Sequence, residues 1–210
     1  MRLTPDPLYA RYWLPLIRFG VGLIYRGFGG YRIQGVDNLP RSGRVLVACN
    51  HLSLADPLAM LVASPRPLFY MAAEELHQMT WVGPTIRFLQ SFPVRRGEWD
   101  QNAIAHARAL LRNEQGLVVY PEGRISPDGE LLPLYPGVAM LALRERCPVI
   151  PARMRGTDGF LPLGKKFIRF HPKSIRFGPP LDFGAPRPGE SIKSQVQAAT
   201  ERLREAMLAL

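Results

Sequence analysis

A chain of 210 residues, 47% hydrophobic and 21% charged, is long enough for one well-packed domain and too apolar to stay disordered. Its formal net charge of +10 points to an anionic partner: nucleic acid, an acidic membrane surface or a phosphorylated substrate. Cys49 and Cys147 sit singly in apolar runs, which implies neither a disulfide framework nor a zinc site and fits a reducing compartment.

From the N-terminus, residues 8 to 28 mix aromatic and aliphatic side chains with Arg11, Arg18 and Arg26. At about 100° per residue, Arg11 and Arg18 share a helix face and Arg26 lies about 80° away. The composition suits helices lying in a membrane interface, and it also suits a core-packed helix pair with solvated arginines. Gly20, Gly22, Gly27, Gly29 and Gly30 are expected to divide the segment into two shorter helices. No run of about 18 uncharged apolar residues occurs, so no ordinary transmembrane span is expected. The interrupting arginines argue against a signal peptide.

A short strand is expected at 31–35, followed by loop to Gly43 and a buried strand over Val45–Cys49. The strand runs into Asn50, His51, Leu52, Ser53, Leu54, Ala55 and Asp56. Asp56 before Pro57 heads an apolar run, which predicts a helix with Asp56 as N-cap and Pro57 at N1. Further strands are expected at 68–72, 91–94, 117–120 and 149–154. Residues 74–90 read as helix split by Gly83-Pro84, and 100–113 as a helix capped by Asp100. Helices are also expected at 137–146 and 190–210. A hairpin of 167–170 against 174–177 is predicted around Pro172-Lys173. Strand–helix alternation from 44 to 154 gives the fold class: α/β, with a largely parallel sheet flanked by helices and the N-terminal helix pair before it.

In such sheets, functional loops gather outside the carboxyl ends of the strands. Loops 50–56, 95–97 and 120–126 therefore fall on one rim. A carboxylate on one nitrogen of His51 fixes its tautomer and leaves the other as a base near neutral pH. Arginines grip phosphate oxygens bidentately, so Arg95, Arg96 and Arg124 suit a phosphate-bearing substrate. Gly123, beside Glu122, lets a ligand approach the backbone. Alone, a His-x4-Asp spacing is weak, being equally a strand end and a helix cap.

Four blocks then carry a resemblance: NHLSLAD at 50–56, FPVRRG at 92–97, YPEGRIS at 120–126 and PVIPARMRGT at 148–157. With Gly35, Leu39 and Pro40, residues 31–160 resemble a 1-acylglycerol-3-phosphate acyltransferase of the PlsC type, in the glycerolipid acyltransferase family. The resemblance implies that His51, held by Asp56, deprotonates the free hydroxyl of lysophosphatidic acid. That oxygen attacks an acyl thioester, of coenzyme A or an acyl-carrier protein, and gives phosphatidic acid. It implies no acyl-enzyme, cofactor or metal. Arg96, with Arg95 beside it, and Glu122-Gly123 would bind the glycerol phosphate. The third block departs from the common Glu-Gly-Thr-Arg, since Arg124 comes one place early and Ile125 follows. The Gly-Arg-Ile form resembles 2-acylglycerophosphoethanolamine acyltransferases, so another acceptor such as lysophosphatidylethanolamine is the alternative. Residues 1–30 would seat residues 31–210, the acyltransferase domain, on the cytoplasmic face of an anionic membrane as a peripheral or monotopic protein. The rivals of another class are a non-catalytic lipid-binding protein and a nucleic-acid-binding protein. The second lacks a motif, and no nucleic-acid partner is expected.

Overall fold

The computed structural model describes residues 3–95, 100–162, 164–165 and 167–210. Strand β2 (Val45–Cys49) is buried along its whole length. It is flanked in parallel by β6 (Val149–Arg155) and β5 (Gly116–Val119). A strand covered on both faces and both edges needs an unbroken apolar run, which is what its sequence supplies. β3 (Phe69–Ala73) and β4 (Ser91–Val94) extend the sheet past β5, again in parallel. On the other side, β7 (Lys173–Phe177) runs antiparallel to β6 and carries β1 (Tyr31–Gln34) parallel to itself. The order is β1-β7-β6-β2-β5-β3-β4, so the sheet is mostly parallel, as the alternation of elements implied.

Helices cover both faces. On one side, α1 (Leu14–Gly27) and α2 (Asp56–Ala63) bury Tyr25, Ala59 and Met60 against Val47, Val118 and Ile150. On the other, α5 (Gln101–Arg112), α6 (Gly137–Glu145) and α8 (Ile192–Leu208) bury Leu110, Leu141 and Met207 against Leu46 and Leu117. The connection from β3 to β4 is α3 (Glu74–Gln78) and α4 (Val82–Phe88), and α7 (Thr157–Phe160) follows β6.

One feature of the pairing makes room for a ligand. β5 and β3 pair only at Phe69–Leu117 and Tyr70–Val118, while β3 stays paired with β4 as far as Ala73–Val94. The sheet therefore splits at its carboxyl end between β5 and β3.

Three expectations need correction. The N-terminal segment is not two helices: a π-helical turn, Tyr9–Trp13, runs straight into α1 through Gly20 and Gly22. Gly22 faces α2, where an added Cβ would lie 3.7 Å from Val62 Cγ1, so this glycine serves helix packing. The wider winding of the π turn also shifts the helix phase. Arg11 is exposed, whereas Arg18 turns inward and donates to the carbonyls of Leu61 and Arg66 at 2.9 and 2.8 Å. There it satisfies a carbonyl in the last turn of α2. Second, the break within 74–90 falls at 79–81, and Pro84 lies in the first turn of α4, where its missing N–H costs nothing. Third, 167–170 form no strand. Both edges of β7 are already taken, by β6 and β1, so a hairpin partner has nowhere to pair.

Among the described residues, no helix is long and apolar enough to cross a membrane.

Candidate active site

Where β2 releases the chain, Asn50 stays tied to β6: its Oδ1 accepts from Met154 N at 2.6 Å and its Nδ2 donates to Met154 O at 3.0 Å. The amide acts as one more rung of the ladder and carries His51 onto the sheet rim. The imidazole Nδ1 lies 2.7 Å from Asp56 Oδ2, and both residues are buried. The same oxygen accepts the N–H groups of Leu52 at 2.6 Å and Ser53 at 2.8 Å.

This geometry corrects the expected cap. Asp56 is the first residue of α2, with Ala55 at the cap position, and the carboxylate turns back onto the loop before it rather than forward onto the helix. Charge-assisted bonds to two backbone amides hold the carboxylate in place. The pairing commits Nδ1 and leaves Nε2 as the ring nitrogen able to take a proton from a ligand. Tyr120 lies against the imidazole with ring centroids 4.3 Å apart and planes 24° from parallel. Burial pushes its phenol well above the usual tyrosine value, so it stays neutral beside the base.

Glu122 holds the backbone of the same histidine. Its Oε1 accepts from His51 N at 2.8 Å and its Oε2 from Leu132 N at 2.9 Å. Ser126 N adds a bond to His51 O at 2.8 Å. The third loop is thus stitched to the first through both backbone groups of His51. Burial raises the Glu122 carboxyl above its ordinary value, against the pull of the two amides. Both oxygens accept from protein amides. Gly123, at φ +68°, occupies a left-handed turn, and a Cβ there would meet the Tyr135 ring at 2.8 Å.

The rim opens into a cavity of about 750 Å³ in the split between β5 and β3. His51, Tyr120, Pro121 and Gly123 line one end, and Met71, Ala72, Leu76, Val82, Ile86 and Val94 are among its apolar walls. The size is that of a small-molecule site. Arg95 is the only Arg or Lys among the described residues lining it, and its backbone N–H is fixed at 3.0 Å from Asp100 Oδ2. Arg124 is exposed on the third loop and is not part of the cavity wall. Arg96 lies outside the described residues.

The structure therefore brings together His51, Asp56, Glu122, Gly123 and Arg95. It adds Asn50, Ser53, Tyr120 and Tyr135, whose roles depend on partners far along the chain. Among the described residues, no group of three or more His, Cys, Asp or Glu converges to hold a metal. The buried thiols of Cys49 and Cys147 are pushed up, the second to about 12, so neither supplies a thiolate at neutral pH.

A family model described as Acyltransferase matches residues 30–155, more than half of the chain. A 1-acyl-sn-glycerol-3-phosphate acyltransferase of Bacillus subtilis is 28% identical over 182 residues, which cover 84% of this chain and 88% of that protein. The alpha enzyme of that name from Ovis aries is 26% identical over 185 residues, 84% of this chain and 61% of the relative. In fold, the chain is similar to the crystal structure of the 1-acyl-sn-glycerophosphate (LPA) acyltransferase PlsC from Thermotoga maritima. The TM-score is 0.74 at 24% identity, over 95% of this chain and 81% of the other. The chain belongs to the Acyltransferase family.

Proposed function

We propose that this protein transfers a fatty acyl group from a thioester to the free hydroxyl of 1-acylglycerol-3-phosphate, giving phosphatidic acid. The observation that carries the reading is the His51–Asp56 pair at one end of a 750 Å³ apolar cavity. His51 Nε2 takes the hydroxyl proton as that oxygen bonds to the thioester carbon. The C–S bond then breaks, and the imidazolium returns the proton to the departing thiolate. Asp56 stabilises the imidazolium and keeps Nδ1 as the donor. Glu122 acts by positioning the backbone of His51 rather than by touching the acceptor. Arg95, and Arg96 next to it in sequence, suit the phosphate. The acyl chain suits the apolar walls, where each buried methylene contributes about 0.8 kcal/mol. The donor is an acyl-CoA or an acyl-carrier protein.

The same reading seats residues 1–30 on the cytoplasmic face of an anionic membrane, with 31–210 as the acyltransferase domain. Leu8, Tyr12, Leu16, Phe19 and Leu23 form an exposed stripe along the outer face of the N-terminal helix, with Arg11 and Arg26 also exposed. Apolar residues facing out and cations near them are the pattern of an interfacial helix.

The test is to incubate the purified protein with acyl-CoA and acyl-carrier-protein donors against a panel of lysophospholipids. Phosphatidic acid is expected as the main product. Faster acylation of lysophosphatidylethanolamine would move the acceptor assignment, and no transfer to any acceptor would leave a binding protein.

A further inference from the structure

Between α7 and β7, exposed cations and apolar side chains interleave among the described residues: Lys165, Phe167, Ile168, Arg169 and Phe170. Phe167 is 83% exposed and Phe170 is 78% exposed. The backbone is pinned in this arrangement. Arg169 N donates to Phe160 O at 2.7 Å and His171 N to Phe28 O at 3.1 Å. Lys173 Nζ then bonds the carbonyls of Phe28 and His171 at 2.8 and 2.9 Å. Phe170 is thus flanked by backbone bonds at Arg169 and His171, and Phe167 lies two residues before the first of them.

The position of the loop gives it a use. At its root, Ser53 Oγ donates to Leu161 O at 2.7 Å, so the loop is bonded to the same turn that carries His51. The exposed Leu54 lies on that turn. On its other side the loop meets the end of the N-terminal helix, where exposed Phe28, Ile24 and Leu23 continue the outward apolar stripe.

We propose that Lys165 and residues 167–170 form a second contact with an anionic lipid surface, beside that of the N-terminal helix, that holds the His51 turn against the bilayer. Phe167, Ile168 and Phe170 enter the headgroup–acyl boundary, and Lys165 and Arg169 meet the anionic headgroups. Exposed apolar side chains alternating with exposed cations match the two layers of a bilayer surface. An acidic protein would match the cations alone, and would not extend across the apolar residues of the neighbouring helix. The proposal rests on the reading that this enzyme acts on a lipid at a membrane, and it adds which surface faces that membrane.

The experiment places a bimane label on Phe167→Cys and, separately, on Phe19→Cys of the N-terminal helix. Both native cysteines are buried, so labelling is selective. Vesicles of phosphatidylcholine and phosphatidylglycerol are expected to blue-shift both labels. In parallel, the unlabelled triple variant Phe167→Ser/Arg169→Ser/Phe170→Ser should bind those vesicles about tenfold less tightly. It should acylate a short-chain monomeric acceptor at the wild-type rate. A shift at Phe19→Cys alone overturns the loop proposal and leaves the helix reading standing. A shift at neither overturns both. A shift at Phe167→Cys with an acidic acyl-carrier protein, and none with vesicles, overturns the lipid assignment.

Discussion

At the scale of single residues, the site is built from carboxylates that face inward onto the protein. Asp56 Oδ2 collects the His51 ring and two backbone amides, and Glu122 divides its oxygens between His51 N and Leu132 N. Glu122→Gln can keep one of these bonds but turns an NH2 group toward the other amide. An unpaired buried N–H costs about 1–3 kcal/mol, so the melting temperature should fall. Because the bond lost is to His51 or to the loop bracing it, kcat should fall while the KM for the phosphate-bearing acceptor stays near wild type. A large rise in that KM with kcat intact would instead make Glu122 an acceptor ligand. The sequence did place His51 and Asp56 within reach of each other. It did not reveal which way Asp56 faces, because the same carboxylate at the head of a helix can turn forward to cap it or back to the preceding loop. The choice was made by the amides of Leu52 and Ser53. The stacking of Tyr120 on His51 was equally hidden, since it joins residues far apart in sequence.

Elements were legible where their signals are local. Asp100 caps α5 as expected, its Oδ1 accepting from Asn102 N at 3.1 Å and Ala103 N at 3.0 Å, while Oδ2 holds Arg95 N. The Arg95 amide, then that of Ala103, hold its carboxyl below the ordinary value of 3.8. A depressed carboxyl stabilises the fold above its unfolded-state value, and that contribution is lost as pH falls through the folded-state value. Asp100→Ala should therefore cost about 1 kcal/mol at neutral pH. The gap in melting temperature from wild type should close below the usual carboxylate range. A gap that stays constant into acid would rule out this linkage. The predicted hairpin failed for the opposite reason: strand pairing is non-local, and nothing in 167–177 records that β6 and β1 occupy both edges of β7. The split between β5 and β3 was invisible for the same reason, although it creates the cavity. Ala72 lies on its wall. Ala72→Phe should remove room for about two methylenes, lowering kcat/KM for long acyl donors about tenfold relative to short ones. Equal losses for both lengths would place the chain elsewhere.

For the molecule as a whole, the alternation of elements set loops 50–56, 95–97 and 120–126 on one expected rim, and the fold is the α/β sheet that reading required. The charge of +10 was less informative than it looked, because part of it is structural: Arg18 is spent on the carbonyls of Leu61 and Arg66, and Arg108 and Arg112 on buried Glu145. Nor is the N-terminal segment detachable. Tyr25 sits in the main core and its hydroxyl donates to Ala55 O at 2.7 Å, beside Asp56. Deleting residues 1–30 would damage the fold together with any membrane contact, so the outward stripe is better tested by Phe19→Ser. That variant should weaken binding to anionic vesicles with the melting temperature unchanged, and unaltered sedimentation with vesicles would count against an interfacial helix. The central claim is chemical, and one measurement reaches it most directly: single-turnover acyl transfer to lysophosphatidic acid by wild type and by His51→Ala, with folding checked by circular dichroism. The account predicts a rate lower by about 10³-fold or more in the folded variant. Transfer at an undiminished rate without His51 would contradict it.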